Sequence, residues 1–140
     1  MKPFVLDASV VIKWFSMHDE NDLGKALDLR QQIADGRYSV IVPDLLLYEF
    51  ANALRYNARF SADDVSGAVQ SVIDMGFDVR GVKGTVMKKA AELAFRFGIT
   101  VYDAYYLSLA QIENKSLITA DHKMAAKVKK FKHVMRLSDF

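Results

Sequence analysis

Cysteine is absent from the 140 residues. That excludes disulfides and thiolate metal sites, so a bound metal would have to sit on oxygen or imidazole. No apolar stretch approaches the roughly 18 residues that a membrane span needs. The first residues reach an acid at Asp7 before a signal-peptide core or a small-residue cleavage site can form. A cytoplasmic location is the expectation. Phosphate-cradling glycine loops are missing too, because Gly81 and Gly84 do not make a GxGxxG pattern. Ser9, Ser108 and Ser116 lack the flanking glycines of a nucleophile elbow. His18, His122 and His133 have no mutual metal-ligand spacing, although His122 stands beside Asp121, which leaves a minor part in substrate contact open. Repeats, low-complexity segments and linkers are absent, so one domain over 1–140 is expected.

Basic and acidic residues nearly balance. The formal net charge is +2, too little to identify a partner. Its distribution is more informative: Lys123, Lys127, Lys129, Lys130, Lys132 and Arg136 follow one another with no acid between them. Such a run suits a polyanion, and equally a solvated helix end.

The apolar share of 51% and charged share of 26% are those of a folded globular chain. Strand-like runs at 4–6, 38–42, 77–80, 116–119 and 133–136 alternate with helical patterns. The helices are expected at Asp19–Gly36, Leu45–Ala58 with Asp44 as cap, a stretch opened by Ser61 to Asp64 as a capping box and closed by Gly76, Thr85–Phe97, Val101–Glu113 and Asp121–Lys130. A shorter helical pattern carries Val10, Val11, Trp14 and Phe15. This alternation predicts an α/β fold with a mostly parallel sheet covered on both faces.

Ligands of such folds gather at the carboxyl ends of the strands. Asp7 directly follows the first strand, and Asp121 follows the run ending at Thr119 with one residue between. Each aspartate would also serve as an ordinary helix N-cap. Asp103 shares a helix face with Leu107 and Ala110, where a carboxylate is costly unless paired, hydrogen-bonded or bound to a cation. The competing use is a capping box from Thr100 to Asp103. Glu49 borders the apolar stripe of its helix with no basic residue at i±3 or i±4; a solvated edge is its plain alternative. Four acids at one sheet edge would repel one another unless cations intervened. Mg²⁺ or Mn²⁺, hard ions that prefer oxygen ligands, fit that need. One or two such ions would activate water and stabilise the charge building on a phosphodiester, with basic residues at the rim holding the backbone.

Four segments then appear in a known order: Val5 to Ile12 around Asp7 and Ser9, Pro43 followed by Tyr48 to Leu54 around Glu49 and Asn52, Tyr102 to Ala110 after Asp103, and Leu117 to Asp121. In this order the chain resembles PIN-domain proteins over essentially its whole length, and among them the VapC-like toxins of prokaryotic toxin–antitoxin pairs. The resemblance implies a three-layer α/β/α sandwich, Mg²⁺- or Mn²⁺-dependent cleavage of RNA, homodimers, and an antitoxin bound at the active-site groove. By position, it makes Asp7, Glu49, Asp103 and Asp121 metal ligands or water-orienting groups, with Ser9 and Thr119 as hydroxyl partners. Asn52 is either a further donor to that face or a surface amide. Some relatives carry an acid where this chain has Lys123. One tightly held ion is therefore expected, and Lys123 is either a phosphate contact or an exposed helix lysine. Tyr102, Tyr105 and Tyr106 are placed to stack on a base, pack in the core or meet a second copy.

Two other classes compete. A receiver-like phosphoacceptor domain needs an acid pair at the first strand, where this chain has Val-Leu-Asp7-Ala. A catalytically silent PIN-like scaffold for RNA or protein would not need all four acids.

Overall fold

The computed structural model describes residues 2–16 and 21–140. His18, Asp19 and Glu20 lie outside the described residues, as does the expected start of the second helix. Strand β1 (Lys2–Leu6) leads into α1 (Ala8–Ser16), α2 (Leu23–Ala34) and β2 (Tyr38–Pro43). Next come α3 (Leu45–Arg55), α4 (Ala62–Asp74), β3 (Asp78–Arg80), α5 (Gly84–Phe97) and α6 (Val101–Glu113). The chain finishes with β4 (Leu117–Thr119), α7 (His122–Lys127), β5 (Val134–Arg136) and a 3-10 turn at Leu137–Asp139.

The five strands form one sheet in the order β3-β2-β1-β4-β5, and every neighbouring pair is parallel. From β1 the chain steps outward to β2 and β3, then crosses back to β4 and β5. Parallel crossovers are right-handed, so connections running in opposite directions cover opposite faces. α1 packs against α2 and α3, while α5 packs against α6, which in turn lies on β1, β2 and β4. This is the expected three-layer α/β/α sandwich, with an all-parallel sheet.

The direction of travel reverses between β1 and β4, and that is where such folds open a crevice. Both strands are fixed there by burial. Val5, Leu6 and Leu117 have no exposed surface and Ile118 only 2%. Burying side chains of this kind stabilises by about 1.5–3 kcal/mol each. The residues just beyond, Asp7 and Asp121, are thereby held at one edge.

Helix ends follow the local chemistry. Ser61 and Asp64 form the complete capping box at α4. Gly36, Gly76 and Gly98 take positive φ just beyond α2, α4 and α5, the conformation that glycine adopts at least cost. Asn114 ends α6 in the same way, at φ 52°. Inside, Trp14 donates from Nε1 to the Ala26 carbonyl at 2.8 Å, locking α1 on α2. Ser108 donates to the Val86 carbonyl at 2.8 Å, joining α6 to α5.

Several expected boundaries move. Asp44 makes no side-chain cap; its backbone is already helical, and its amide bonds to the Arg80 carbonyl at 2.9 Å instead. α3 stops at Arg55 rather than Ala58, because the Asn57 side chain accepts from the Arg59 amide at 3.0 Å and turns the chain. α7 ends at Lys127 rather than Lys130. Val128 and Phe131 are buried just beyond it, and the Phe131 ring packs edge-on against Phe97 with centroids 5.9 Å apart.

Candidate active site

Four elements deliver one acid each to the carboxyl edge of the sheet. Asp7 directly follows β1, Glu49 lies on the second turn of α3, Asp103 on the first turn of α6, and Asp121 caps α7. All four line a single shallow hollow of about 320 Å³, together with Ser9 and Asn52. Asp7 is buried, at 6% exposure, whereas the other three acids are half-buried and reach the surface.

Two hydroxyls clasp the ends of β1 and β4. Thr119, fully buried, donates to Asp7 Oδ2 at 2.7 Å and accepts from the Asp121 amide at 3.1 Å. Ser9 donates to the same Oδ2 at 2.8 Å and accepts from the Ala120 amide at 2.9 Å. Charge-assisted bonds of this sort are the stronger ones. They fix the rotamer of Asp7 and tie it to the backbone that presents Asp121.

Asp121 serves as a helix cap and also lines the hollow. Its Oδ1 accepts from the Met124 amide at 3.0 Å, a normal helix cap, while the residue still faces the hollow. Asp103 is similar. Thr100 Oγ1 accepts from the Asp103 backbone amide at 3.0 Å, so the cap uses the main chain and the carboxylate lies in the hollow. Asn52 is exposed at its rim. Lys123 is also exposed and lines an adjoining hollow that contains Asp103 and Asp121.

One partner was not legible in the sequence as such. Tyr106, only 1% exposed, donates its hydroxyl to Glu49 Oε1 at 2.7 Å across α6 and α3. It stands three residues after Asp103 and so on the same side of α6, which is the signal that would have found it. The other tyrosines divide. Tyr105 is buried and accepts from the Lys83 amide at 3.2 Å, while Tyr102 is 62% exposed. His122 pairs with Asp22 at 2.8 Å, joining α7 to the start of α2.

Burial and neighbouring charge raise the proton affinity of Asp7, Glu49 and Asp103. Burial pushes the Asp7 carboxyl up most, opposed by the Thr119 and Ser9 hydroxyls and aided by the charge of Asp121. Burial raises Glu49 as well, with the Tyr106 hydroxyl pulling the other way and the charges of Asp7 and Asp103 adding to the rise. Asp103 is raised by burial, then by Asp7 and Asp121, with partial relief from the Thr100 hydroxyl and Lys127. The Tyr106 phenol is also held up, by burial and then by the charges of Asp7 and Glu49.

A cluster of oxygen donors repelling one another is chemically suited to a hard divalent cation. Among the described residues, no three His, Asp or Glu side chains stand gathered as a finished coordination shell. The acids rest instead on the hydroxyls of Ser9, Thr119 and Tyr106 and on the Met124 amide. Removing the Tyr106 hydroxyl tests the value of this support. Tyr106→Phe is expected to cost about 1 kcal/mol of stability in urea unfolding. Loss of an outer partner of this type is also expected to lower any metal-dependent activity roughly 10–100-fold.

Comparison with known proteins gives a family and a fold. A family model described as PIN domain matches residues 4–130. Ribonuclease VapC3 from Pyrobaculum aerophilum is 36% identical over 89 residues, covering 60% of this chain and 67% of that protein. A toxin–antitoxin complex from Klebsiella pneumoniae contains a chain that superposes with a TM-score of 0.68 at 15% identity, covering 98% of this chain and 99% of that one. Mycobacterium tuberculosis VapC20, described as a Sarcin-Ricin loop cleaving toxin, gives a TM-score of 0.69 at 16% identity over 89% of this chain and 95% of its own. At such identities the solved structures attest the fold, and the match over residues 4–130 attests the family: this chain belongs to the PIN-domain family.

Proposed function

We propose that this protein is a divalent-metal-dependent endoribonuclease, the toxin of a type II toxin–antitoxin pair. The observation that carries the reading is the meeting of Asp7, Glu49, Asp103 and Asp121 around one hollow at the reversal point of the sheet. Similarity to a protein named as a ribonuclease, and to chains solved in toxin–antitoxin complexes, supports it. Asp7, Asp103, Asp121 and Glu49 would hold Mg²⁺ or Mn²⁺. The ion, when bound, supplies positive charge to a phosphodiester in transition and lowers the pKa of bound water.

The chain's own residues do the positioning. Ser9 and Thr119 fix Asp7 through Oδ2, and Thr119 sets the Asp121 backbone relative to it. Tyr106 occupies Glu49 Oε1, which leaves Oε2 to orient a water or accept its proton. A carboxyl raised above its ordinary value is a better acceptor for that proton. Asn52 is a further polar group at the rim. RNA would arrive as substrate, and an antitoxin would cover the same groove. Pairing of two copies is supported by an exposed apolar surface in which Tyr48 is 73% exposed, Val82 66% and Tyr102 62%. A cytoplasmic location is part of this proposal; no helix among the described residues is long and apolar enough to cross a membrane.

Incubation with structured and single-stranded RNAs in Mn²⁺ is expected to give internal cleavage that EDTA stops. RNA binding without turnover in any metal would replace this reading with that of a silent scaffold.

A further inference from the structure

The four-acid hollow has a neighbour with mixed charge. Asp103 and Asp121 line both, but the second hollow, of about 310 Å³, adds Thr100, Lys123 and Lys127 and the backbone around Gly98. Lys123 and Lys127 stand four residues apart on α7, hence on one side of it, flanking the buried Met124. Lys127 reaches across to the Gly98 carbonyl at 3.4 Å, which holds its ammonium over the hollow, and its charge is felt at Asp103. Among the described residues, no ion pair engages either lysine. Two ammonium groups thus edge an acidic site without being consumed by it.

We propose that Lys123 and Lys127 bind a phosphate of the RNA strand next to the one being cut, holding the backbone in register across Asp103 and Asp121. This rests on the nuclease reading above. It adds Lys127 as a substrate-binding residue and gives the lysine pair one task. An ammonium offers three donors to a phosphate oxygen and supplies the positive charge a polyanion needs to approach four carboxylates. The lysines at 129, 130 and 132 lie past the end of α7 and do not line this hollow.

The test compares wild type, the double variant Lys123→Ala/Lys127→Ala, its Arg/Arg counterpart, and Lys88→Ala on α5 as a control for general surface charge. Binding of a fluorescent single-stranded RNA is measured in EDTA over a range of salt, so that no divalent ion contributes. The slope of log Kd against log salt is expected to fall by about 0.7 in the double alanine variant, since one phosphate contact on a single strand contributes that much. Arg/Arg restores the slope and Lys88→Ala leaves it as in wild type. In Mn²⁺, KM for cleavage rises about tenfold with kcat kept within about twofold, the pattern of lost uniform binding. An unchanged slope and KM in a folded double variant overturns the proposal. So does a fall in kcat with KM unchanged, which would assign the lysines to the chemistry, and so does a wild type with no measurable affinity in EDTA. If the slope shifts but wild type cuts no RNA, the nuclease reading fails and the phosphate contact stands.

Discussion

Asp103→Asn is expected to abolish Mn²⁺-dependent RNA cleavage, lowering the rate at least about a thousandfold, while the protein stays folded. Such a loss corresponds to about 4 kcal/mol of barrier. Asparagine keeps the size of the side chain and one oxygen, but it removes the charge by which an acid on the first turn of α6 would hold a cation. Nothing structural should fail alongside. The cap at α6 runs from the Asp103 backbone amide to Thr100 and survives the change. The carboxylate removed is one that Asp7 and Asp121 repel, so the melting temperature of the metal-free variant should equal or exceed that of wild type. Circular dichroism and a cleavage time course on the same preparation give both readings. Cleavage at an appreciable fraction of the wild-type rate would remove Asp103 from the chemistry and the four-acid site with it.

The second large effect is on stability, and its sign follows from the same crowding. Asp7, Glu49 and Asp103 bind protons more readily in the fold than their ordinary values of 3.8 and 4.5 allow. Between those values and the raised ones the native state holds more protons than the unfolded chain. Stability therefore falls as pH rises through that window. The metal-free protein should melt higher in mildly acidic buffer than at pH 8. Asp64 and Asp78 are shifted downward and act in the opposite sense, but only below the ordinary carboxylate range, and both are exposed. A divalent ion should reverse the trend at neutral pH and above, where the acids are free to take it. At a hundredfold excess over its dissociation constant it contributes about 2.7 kcal/mol. For a chain of this size that is about 8 °C in Tm. Differential scanning fluorimetry with EDTA, Mg²⁺ and Mn²⁺ across pH measures both trends. A Tm indifferent to ions at pH 8, or rising with pH in EDTA, would contradict the electrostatic account.

The sequence made the scaffold of the site legible because backbone position alone decides it. Asp7 directly follows a buried strand, and Asp121 follows another by two residues. Any parallel sheet that pairs β1 with β4 must bring the two together. The glycine stops at Gly36 and Gly76 are readable for the same reason, since the requirement is local. What escaped depends on the approach of separate elements. Tyr106 meets Glu49 only because α6 and α3 converge at the sheet edge, 57 residues apart in sequence. Lys127 is hidden in a run of lysines until α7 ends beneath it and the remainder of the run turns away. Asp44 looked like a cap because aspartate favours that position, yet the pairing of its amide with β3 overrides the preference.

The clasp between β1 and β4 joins Asp7 to Thr119, 112 residues further along the chain. During synthesis, Asp7 must wait for Asp103, Thr119 and Asp121 to be made before the hollow can close. A chain that stops before β4 lacks both the clasp and the fourth acid, so on the nuclease reading proposed above it cannot assemble the site.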